Sequence, residues 1–373
     1  MAVVRFAPSP TGRFHVGGAR TALFNKLIAA KEPNSIFYLR VEDTDRTRYV
    51  PTATTELIET LGWLGLHWDK GPTTQDLEDL DVERYLVRKY GKPDEGISYV
   101  QSKRMSIYQE YAKQLIELDL AYPVFTEEVV DTDNVGKGKS FSKLSDLVEL
   151  NRWRTAGSFM VKKLLATGQP YYLMLKLPRE ATVEVVDSLR GKMEVQWRRK
   201  HDVVLLKPDG LPTYHLASVI DDHLMGTTHV IRGEEWLSSL PLHFFLYDSF
   251  GWDKPDFIHL PVILNPTGKG KMSKRNGQDI RDNEGRVVPI FVKEYMNNGF
   301  LPEALINFMS LIGWNPKDNT EIMSWDELVH RFDLSGVNKT GAAWNYKKLL
   351  HINRQYIQNL DSDKFAELAE RFV

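Results

Sequence analysis

VVRFAPSPTGRFHVGGAR, residues 3–20, compresses a strand, a rigid turn, an imidazole and a helix start into one short stretch. Val3-Val4-Arg5-Phe6-Ala7 reads as a short buried strand, which Pro8 and Pro10 end. After Gly17-Gly18, ARTALFNKLIAAK carries Ala19, Leu23, Leu27 and Ala30 at helical spacing, with Pro33 beyond its end. A strand that delivers a loop to a helix N-terminus suits phosphate: free N–H groups and the helix dipole attract an anion, and paired glycines leave the backbone bare. His15 stands just before them, where it could donate a hydrogen bond to a phosphate oxygen. Such donors matter most as charge builds up on a triphosphate under attack. The same short motif also fits an ordinary strand–turn–helix with a surface histidine.

Working outward, SIFYLRVED reads as a second strand and TATTELIETLGWLGL as a second helix. Strand alternating with helix predicts an α/β fold with a doubly wound parallel sheet, whose ligands bind beyond the carboxyl ends of its strands. DVVLLK (202–207) and THVIRG (228–233) resume the sheet pattern. Between about residues 70 and 190 the regularity fades, as in an insertion. RMSIYQEYAKQLIELDLAY is an amphipathic helix there, and DTDNVGKGKSFSK is expected to be a flexible loop. From about residue 290 the chain turns helical, in EYMNNGFLPEALINFMSLIGW, SWDELVHRF and NYKKLLHINRQYIQNL. The final SDKFAELAERFV stops without a capping signal.

A chain of 373 residues and 42.9 kDa predicts two or three domains. No apolar run approaches the length that spans a bilayer, so a cytosolic or organelle-matrix protein without a membrane partner is expected. The absence of cysteine excludes disulfides, thiol catalysis and Cys-ligated zinc. With a net charge of −2, any nucleic acid would have to be held by local patches.

A second cluster, NPTGKGKMSKRNG (265–277), places Lys269, Lys271, Lys274 and Arg275 around a glycine-bearing loop. Alone it reads equally as a solvated basic loop. Together, His-Val-Gly-Gly and Lys-Met-Ser-Lys-Arg resemble the two signature motifs of class I aminoacyl-tRNA synthetases. The longer strings RFAPSPTGRFHVGGARTALFN, LRVEDTDRTRYVP, DVVLLKPDGLPTYHLASVIDDHLMGTTHVIRGEEWLSSLPLH and KMSKRNG resemble the bacterial and mitochondrial glutamyl-tRNA synthetase family. The likeness covers about residues 1–70 and 200–350 and is looser between.

The resemblance implies a Rossmann-type doubly wound sheet with an acceptor-stem-binding insertion and a C-terminal helical stem-contact region. It divides the chain into 1–97 and 196–285 (the catalytic halves), 98–195 (the insertion), 286–350 (stem contact) and 351–373 (the start of an anticodon-binding domain). It implies a monomer that condenses L-glutamate with ATP, Mg²⁺ entering with ATP, and passes glutamate to the terminal adenosine of tRNA(Glu). Cytoplasmic or mitochondrial-matrix localisation goes with it. The α-carboxylate is already an anion, so attack on the α-phosphate needs no general base; positioning and charge neutralisation suffice.

By the same likeness, His15, Lys271, Lys274 and Arg275 serve the phosphates, and Lys274 stabilises the departing pyrophosphate. Pro8, Gly17, Gly18, Glu235, Ile263 and Ser273 hold ATP. Arg5, Ala7, Ser9, Glu42, Tyr214, Ser218 and Arg232 form the glutamate site. Arg5 and Arg232 match the carboxylate-reading arginines, since a planar guanidinium fork suits a carboxylate, and Glu42 matches the α-ammonium partner. Closely spaced carboxylates in VEDTDR also suit Mg²⁺, with Asp43 and Asp45 structural in the preferred reading. DDHLMG mimics a metal cluster without an accompanying ligand set. Two departures stand out. Ser218 replaces a frequent asparagine, and AYPVFT stands where some relatives carry a Cys-x-Cys zinc motif, so no zinc is expected. RGKMEVQWRRKH (190–201) interleaves Arg190, Lys192, Arg198, Arg199 and Lys200 with Trp197, a composition suited to phosphate contact and base stacking or to a solvated hairpin.

Other readings fit less well. A glutaminyl relative usually opens with Pro-Glu-Pro-Asn-Gly, and a short paralogue acting on a modified base lacks the helical region. An adenylyltransferase needs no carboxylate-reading arginines, and a non-catalytic relative would be expected to have lost His15 or Lys274.

Overall fold

β1 (Val3–Phe6) is buried along its whole length and is hydrogen-bonded on both sides, which makes it an interior strand. The computed structural model describes residues 1–77, 89–93, 96–125, 151–197, 201–273 and 279–370. From β1 the chain passes through α1 (Val16–Lys31), β2 (Ile36–Leu39), α2 (Pro51–Trp63), β3 (Trp68–Gly71) and β4 (Gly91–Pro93). α3 (Met105–Glu117), β5 (Ala121–Val124), α4 (Ser158–Leu165), β6 (Tyr172–Leu175), β7 (Thr182–Asp187), β8 (Gly191–Gln196) and β9 (Val203–Leu206) follow. Next come α5 (Tyr214–Leu224), β10 (His229–Gly233), α6 (Leu240–Phe250), β11 (Asp256–Leu260) and β12 (Ile263–Leu264). The chain closes with α7 (Val292–Asn297), α8 (Pro302–Ser310), α9 (Trp325–Arg331), β13 (Ala342–Ala343), α10 (Tyr346–Gln358) and α11 (Ser362–Ala369).

The main sheet is parallel throughout, in the order β11-β10-β1-β2-β3-β4. Because β2 lies on one side of β1 and β10 on the other, the strand order reverses at β1, where an open α/β sheet forms its ligand crevice. α1 packs on β1 and β10 with one side and on α8 and α9 with the other. It therefore buries Ala22, Phe24 and Asn25 as well as Leu23 and Leu27, while Ala30, part of the expected stripe, is exposed. A helix covered on all sides loses its single apolar face.

Three expectations change. β9, read as a return to the main sheet, instead pairs antiparallel with β6 in a separate sheet, β5-β6-β9. Asp202, just before it, ties it there, accepting from the Tyr122 hydroxyl at 2.8 Å and the Leu177 N–H at 3.0 Å. Trp197 is no stacking platform: it is 2% exposed and packs its ring against Phe245. β7 and β8 do form a hairpin, but the Trp197 ring turns inward to fill the core beside α6. The stretch from Glu294 to Trp314 is two helices, α7 and α8, because Gly299 adopts φ +77° between them and Pro302 starts the second. The loop expected at 131–143 lies outside the described residues.

Candidate active site

A cleft of about 620 Å³ opens where the carboxyl ends of β1, β2, β10 and β11 meet. Each strand contributes the residues that follow it: Ala7, Pro8 and Ser9 after β1; Glu42, Thr44, Asp45 and Thr47 after β2; Glu235 and Trp236 after β10; Pro261, Val262 and Ile263 after β11. Gly17, Gly18 and Arg20 line it from the start of α1, and Lys271 from the loop after β12.

At the helix end, His15 is the N-cap of α1. Its Nδ1 accepts from the Gly17 N–H at 2.9 Å, which leaves the proton on Nε2 and makes that nitrogen the donor. Burial and the Lys271 ammonium lower its pKa to about 4, so the ring is neutral at pH 7. His15 does not itself line the cleft; its neighbours Phe14 and Gly17 do, and its ring packs edge-on to Phe291 at 6.2 Å. The glycines answer a steric need here. A Cβ on Gly17 would lie 3.3 Å from the imidazole Nδ1, and one on Gly18 would lie 3.0 Å from the Phe14 ring. The Gly17 N–H is consumed by the cap and is not left free for a phosphate, contrary to the expectation from the paired glycines. Lys271 pairs with Glu235 at 3.3 Å, both half exposed, a contact that a phosphate could displace at little cost.

The inner end is built from buried charge. Arg5 is 3% exposed and forks onto Asp222 through Nε at 3.0 Å and Nη2 at 3.2 Å, while Nη1 reaches the Ile231 carbonyl at 3.4 Å. Three of its five N–H donors are so engaged, and two remain. Arg40 bridges the same Asp222 at 2.8 Å and Glu42 at 2.9 Å. Burial raises the pKa of Glu42, against the pull of Arg40. Asp221 accepts from Arg104, Tyr108 and Gln101, each at 2.8–2.9 Å.

Arg232 is held differently. Its Nη1 donates to the Tyr214 hydroxyl at 2.7 Å and its Nε to His259 at 2.9 Å, with His243 and the Trp236 carbonyl at 3.3 and 3.4 Å. All of these partners are neutral: burial and the nearby Arg232 charge hold His243 well below the usual histidine range, and burial first lowers His259 as well. Arg232 is thus a 5%-exposed cation without an ion pair among the described residues. Tyr214, accepting from the guanidinium, keeps its own proton to donate.

Residues 1–351 match the model of the class I tRNA synthetase (E and Q) catalytic domain. The chain belongs to this family. It is similar to the glutamate–tRNA ligases of Finegoldia magna and Flavobacterium johnsoniae, each 42% identical over 99% of this chain and 71% of that protein. Among solved structures it resembles a glutamate tRNA ligase from Elizabethkingia meningosepticum in complex with its amino acid, with 40% identity and a TM-score of 0.79 over 97% of this chain and 71% of that one. It also resembles the glutamate-tRNA synthetase of Elizabethkingia anophelis, with 39% identity and a TM-score of 0.80 over 100% and 74%. The family uses ATP as a substrate. Among the described residues no helix of this synthetase is long and apolar enough to cross a membrane.

The cleft thus collects Arg5, Ala7, Pro8, Ser9, Gly17, Gly18, Glu42, Tyr214, Arg232, Glu235, Ile263 and Lys271. Ser273 and Ser218 do not line it, and Lys274 and Arg275 lie outside the described residues. Ser218 is fully buried on α5 with no hydrogen-bond partner for its Oγ. Sequence reasoning missed Arg20, Arg48, Gln101, Lys207 and Trp236, which line the cleft, and Arg40 and Asp222 behind it. Arg40 carried a usable signal: like Arg5, it is an arginine at the end of an apolar strand. DDHLMG carried the other, since its first two carboxylates serve the buried arginines. Among the described residues no group of three or more His, Cys, Asp or Glu is disposed to hold a metal ion.

Proposed function

We propose that this synthetase is a glutamate–tRNA ligase. It condenses L-glutamate with ATP, which enters with Mg²⁺, releases pyrophosphate, and transfers the glutamyl group to the terminal adenosine of tRNA(Glu). The observation that carries this reading is Arg232: a desolvated guanidinium with neutral partners only is balanced by an anion. The side-chain carboxylate of glutamate supplies that charge and the amide of glutamine does not. Arg5 adds its two remaining N–H groups, Tyr214 donates its hydroxyl proton, and Glu42 faces the α-ammonium, with Ala7 and Ser9 beside the backbone atoms.

Pro8, Gly18, Glu235 and Ile263 hold the nucleotide. His15 acts as a neutral donor through Nε2–H, and Lys271 exchanges Glu235 for phosphate. By family likeness Lys274 stabilises the leaving pyrophosphate with Arg275 assisting, and Ser273 before them belongs to the ATP site. The insertion (98–195) approaches the acceptor end of tRNA and the helical region (286–350) its stem. We read the enzyme as a zinc-free monomer of the cytoplasm or mitochondrial matrix.

The test is ATP–pyrophosphate exchange with matching tRNA(Glu) present. Glutamate is expected to support it and glutamine is not; the reverse pattern would overturn the specificity. Lys274→Ala is expected to slow adenylate formation far more than it weakens glutamate binding, and equal losses would contradict a role confined to the transition state.

A further inference from the structure

Arg232 meets two buried histidines that do not line the cleft, His243 through Nη1 at 3.3 Å and His259 through Nε in the shorter bond. Its Nε–H donates at 2.9 Å to Nε2 of His259, a residue that is fully buried and does not line the cleft. The sheet sets the two side by side: Arg232 on β10 and His259 on β11 are register partners in the parallel ladder. A guanidinium only donates, so Nε2 must accept and the ring proton must sit on Nδ1. That proton goes to Oδ2 of Asp187, 2.7 Å away, which also accepts the His259 backbone N–H at 3.0 Å.

Asp187 cannot swing, because its Oδ1 accepts the backbone N–H groups of Leu189 and Arg190 at 3.0 and 2.8 Å in the hairpin turn. A fixed carboxylate on one ring nitrogen selects the tautomer at the other. The opposite tautomer would point Nε2–H at the Arg232 Nε–H, donor against donor. The choice of imidazole has a further consequence. A carboxylate in its place would orient Arg232 equally well but would neutralise it and compete with the carboxylate of the substrate. A neutral acceptor orients the guanidinium and leaves its charge for the ligand.

We propose that His259 is a positioning residue of the amino-acid site: Asp187 sets its tautomer, and its Nε2 holds the Nε edge of Arg232 so that the outer edge of the guanidinium faces the substrate carboxylate. This rests on the reading of Arg232 as a glutamate-reading arginine.

Two amides separate the hydrogen bond from packing. In His259→Gln the longer side chain brings a carbonyl oxygen to the Arg232 Nε–H. In His259→Asn the amide stays near Asp187 and falls short of Arg232. With the full chain and its matching tRNA, His259→Asn is expected to raise KM for glutamate about tenfold or more, the loss of one buried hydrogen bond to a charged group. The kcat should stay within about threefold and KM for ATP should not move, because the bond is made equally in ground and transition states. His259→Gln is expected to recover most of the loss. Arg232→Lys, run in parallel, tests the underlying reading, and unchanged KM for glutamate there would overturn both claims. If Arg232→Lys raises KM while the two amides behave alike, both matching the parent or both weakened, His259 does not position Arg232 and the proposal falls. Equal rises in KM for glutamate and ATP in His259→Asn, with a lowered melting temperature and no recovery in His259→Gln, would overturn it too.

Discussion

Asp222→Ala is the substitution whose cost the structure defines most closely. One carboxylate serves two guanidinium groups: Oδ1 accepts from Arg5 Nε at 3.0 Å and Arg40 Nη1 at 2.8 Å, and Oδ2 from Arg5 Nη2 at 3.2 Å. The surrounding cluster of Arg5, Arg40, Arg104, Glu42, Asp221 and Asp222 balances three positive against three negative charges, each residue 5% exposed or less. Removing Asp222 leaves one uncompensated positive charge in a dry site. Losing one partner of a buried pair costs about 3–5 kcal/mol, and here the loss falls chiefly on Arg5, because Arg40 keeps Glu42 at 2.9 Å. At roughly 2–4 °C per kcal/mol for chains somewhat shorter than this one, the melting temperature should fall by on the order of 10 °C. Asp222→Asn separates charge from shape. It keeps one acceptor but turns an amide NH₂ toward a guanidinium, so most of the loss should remain. Thermal melting followed by tryptophan fluorescence at pH 7 reads the stability, and KM for glutamate should rise as Arg5 loses its anchor. Melting of both variants within about 1 °C of the parent would refute the claim that this carboxylate balances the buried arginines.

Three further outcomes can be checked on the same preparation. Trp197→Ala should cost about 3–5 kcal/mol of stability, because the ring is buried against Phe245; weaker tRNA binding with unchanged melting would mean instead that the ring stacks on a base. Ser218→Ala removes a buried hydroxyl that has no partner, so stability should hold or rise by up to about 1 kcal/mol and KM for glutamate should stay within about twofold. A tenfold rise in that KM would show the Oγ reaching the ligand. Acid should weaken the fold before carboxylates titrate: burial lowers both His15 and His215 to about 4 from the ordinary 6.5, so the unfolded chain binds more protons between those values. Their contribution is complete above pH 6.5 and is lost as pH falls toward 4. A lower melting temperature at pH 5 than at pH 7 is expected, and equal values would contradict the buried, neutral assignment.

Local sequence carried the strand–turn–helix at the front and the parallel alternation, because propensity and capping act within a few positions, while the family resemblance carried most of the cleft. Arg5 was legible as a charge set into an apolar strand, whereas Glu42, Tyr214 and Arg232 were placed by their match to the family's motifs. What remained hidden depended on distant partners. Nothing near residue 202 says that β9 will pair with β6 rather than rejoin the main sheet, since an apolar run of four suits either ladder. Trp197 sits among basic residues in the chain but among apolar ones in space. His259 looks like one more polar residue in a strand until β10 and β7 bring Arg232 and Asp187 to its two nitrogens.

The order of residues thus determined by itself which elements form and which chemistry they carry, because propensity, capping and apolar period act over a few positions. Only the tertiary structure decided which charges cancel and which stay available. Arg5 and Arg232 are alike as letters in strands, yet one is matched by Asp222 across 217 residues and the other is surrounded by neutral donors and acceptors. Coulomb energy and desolvation depend on distance in space, and that distance exists only once the sheet has closed around its cleft.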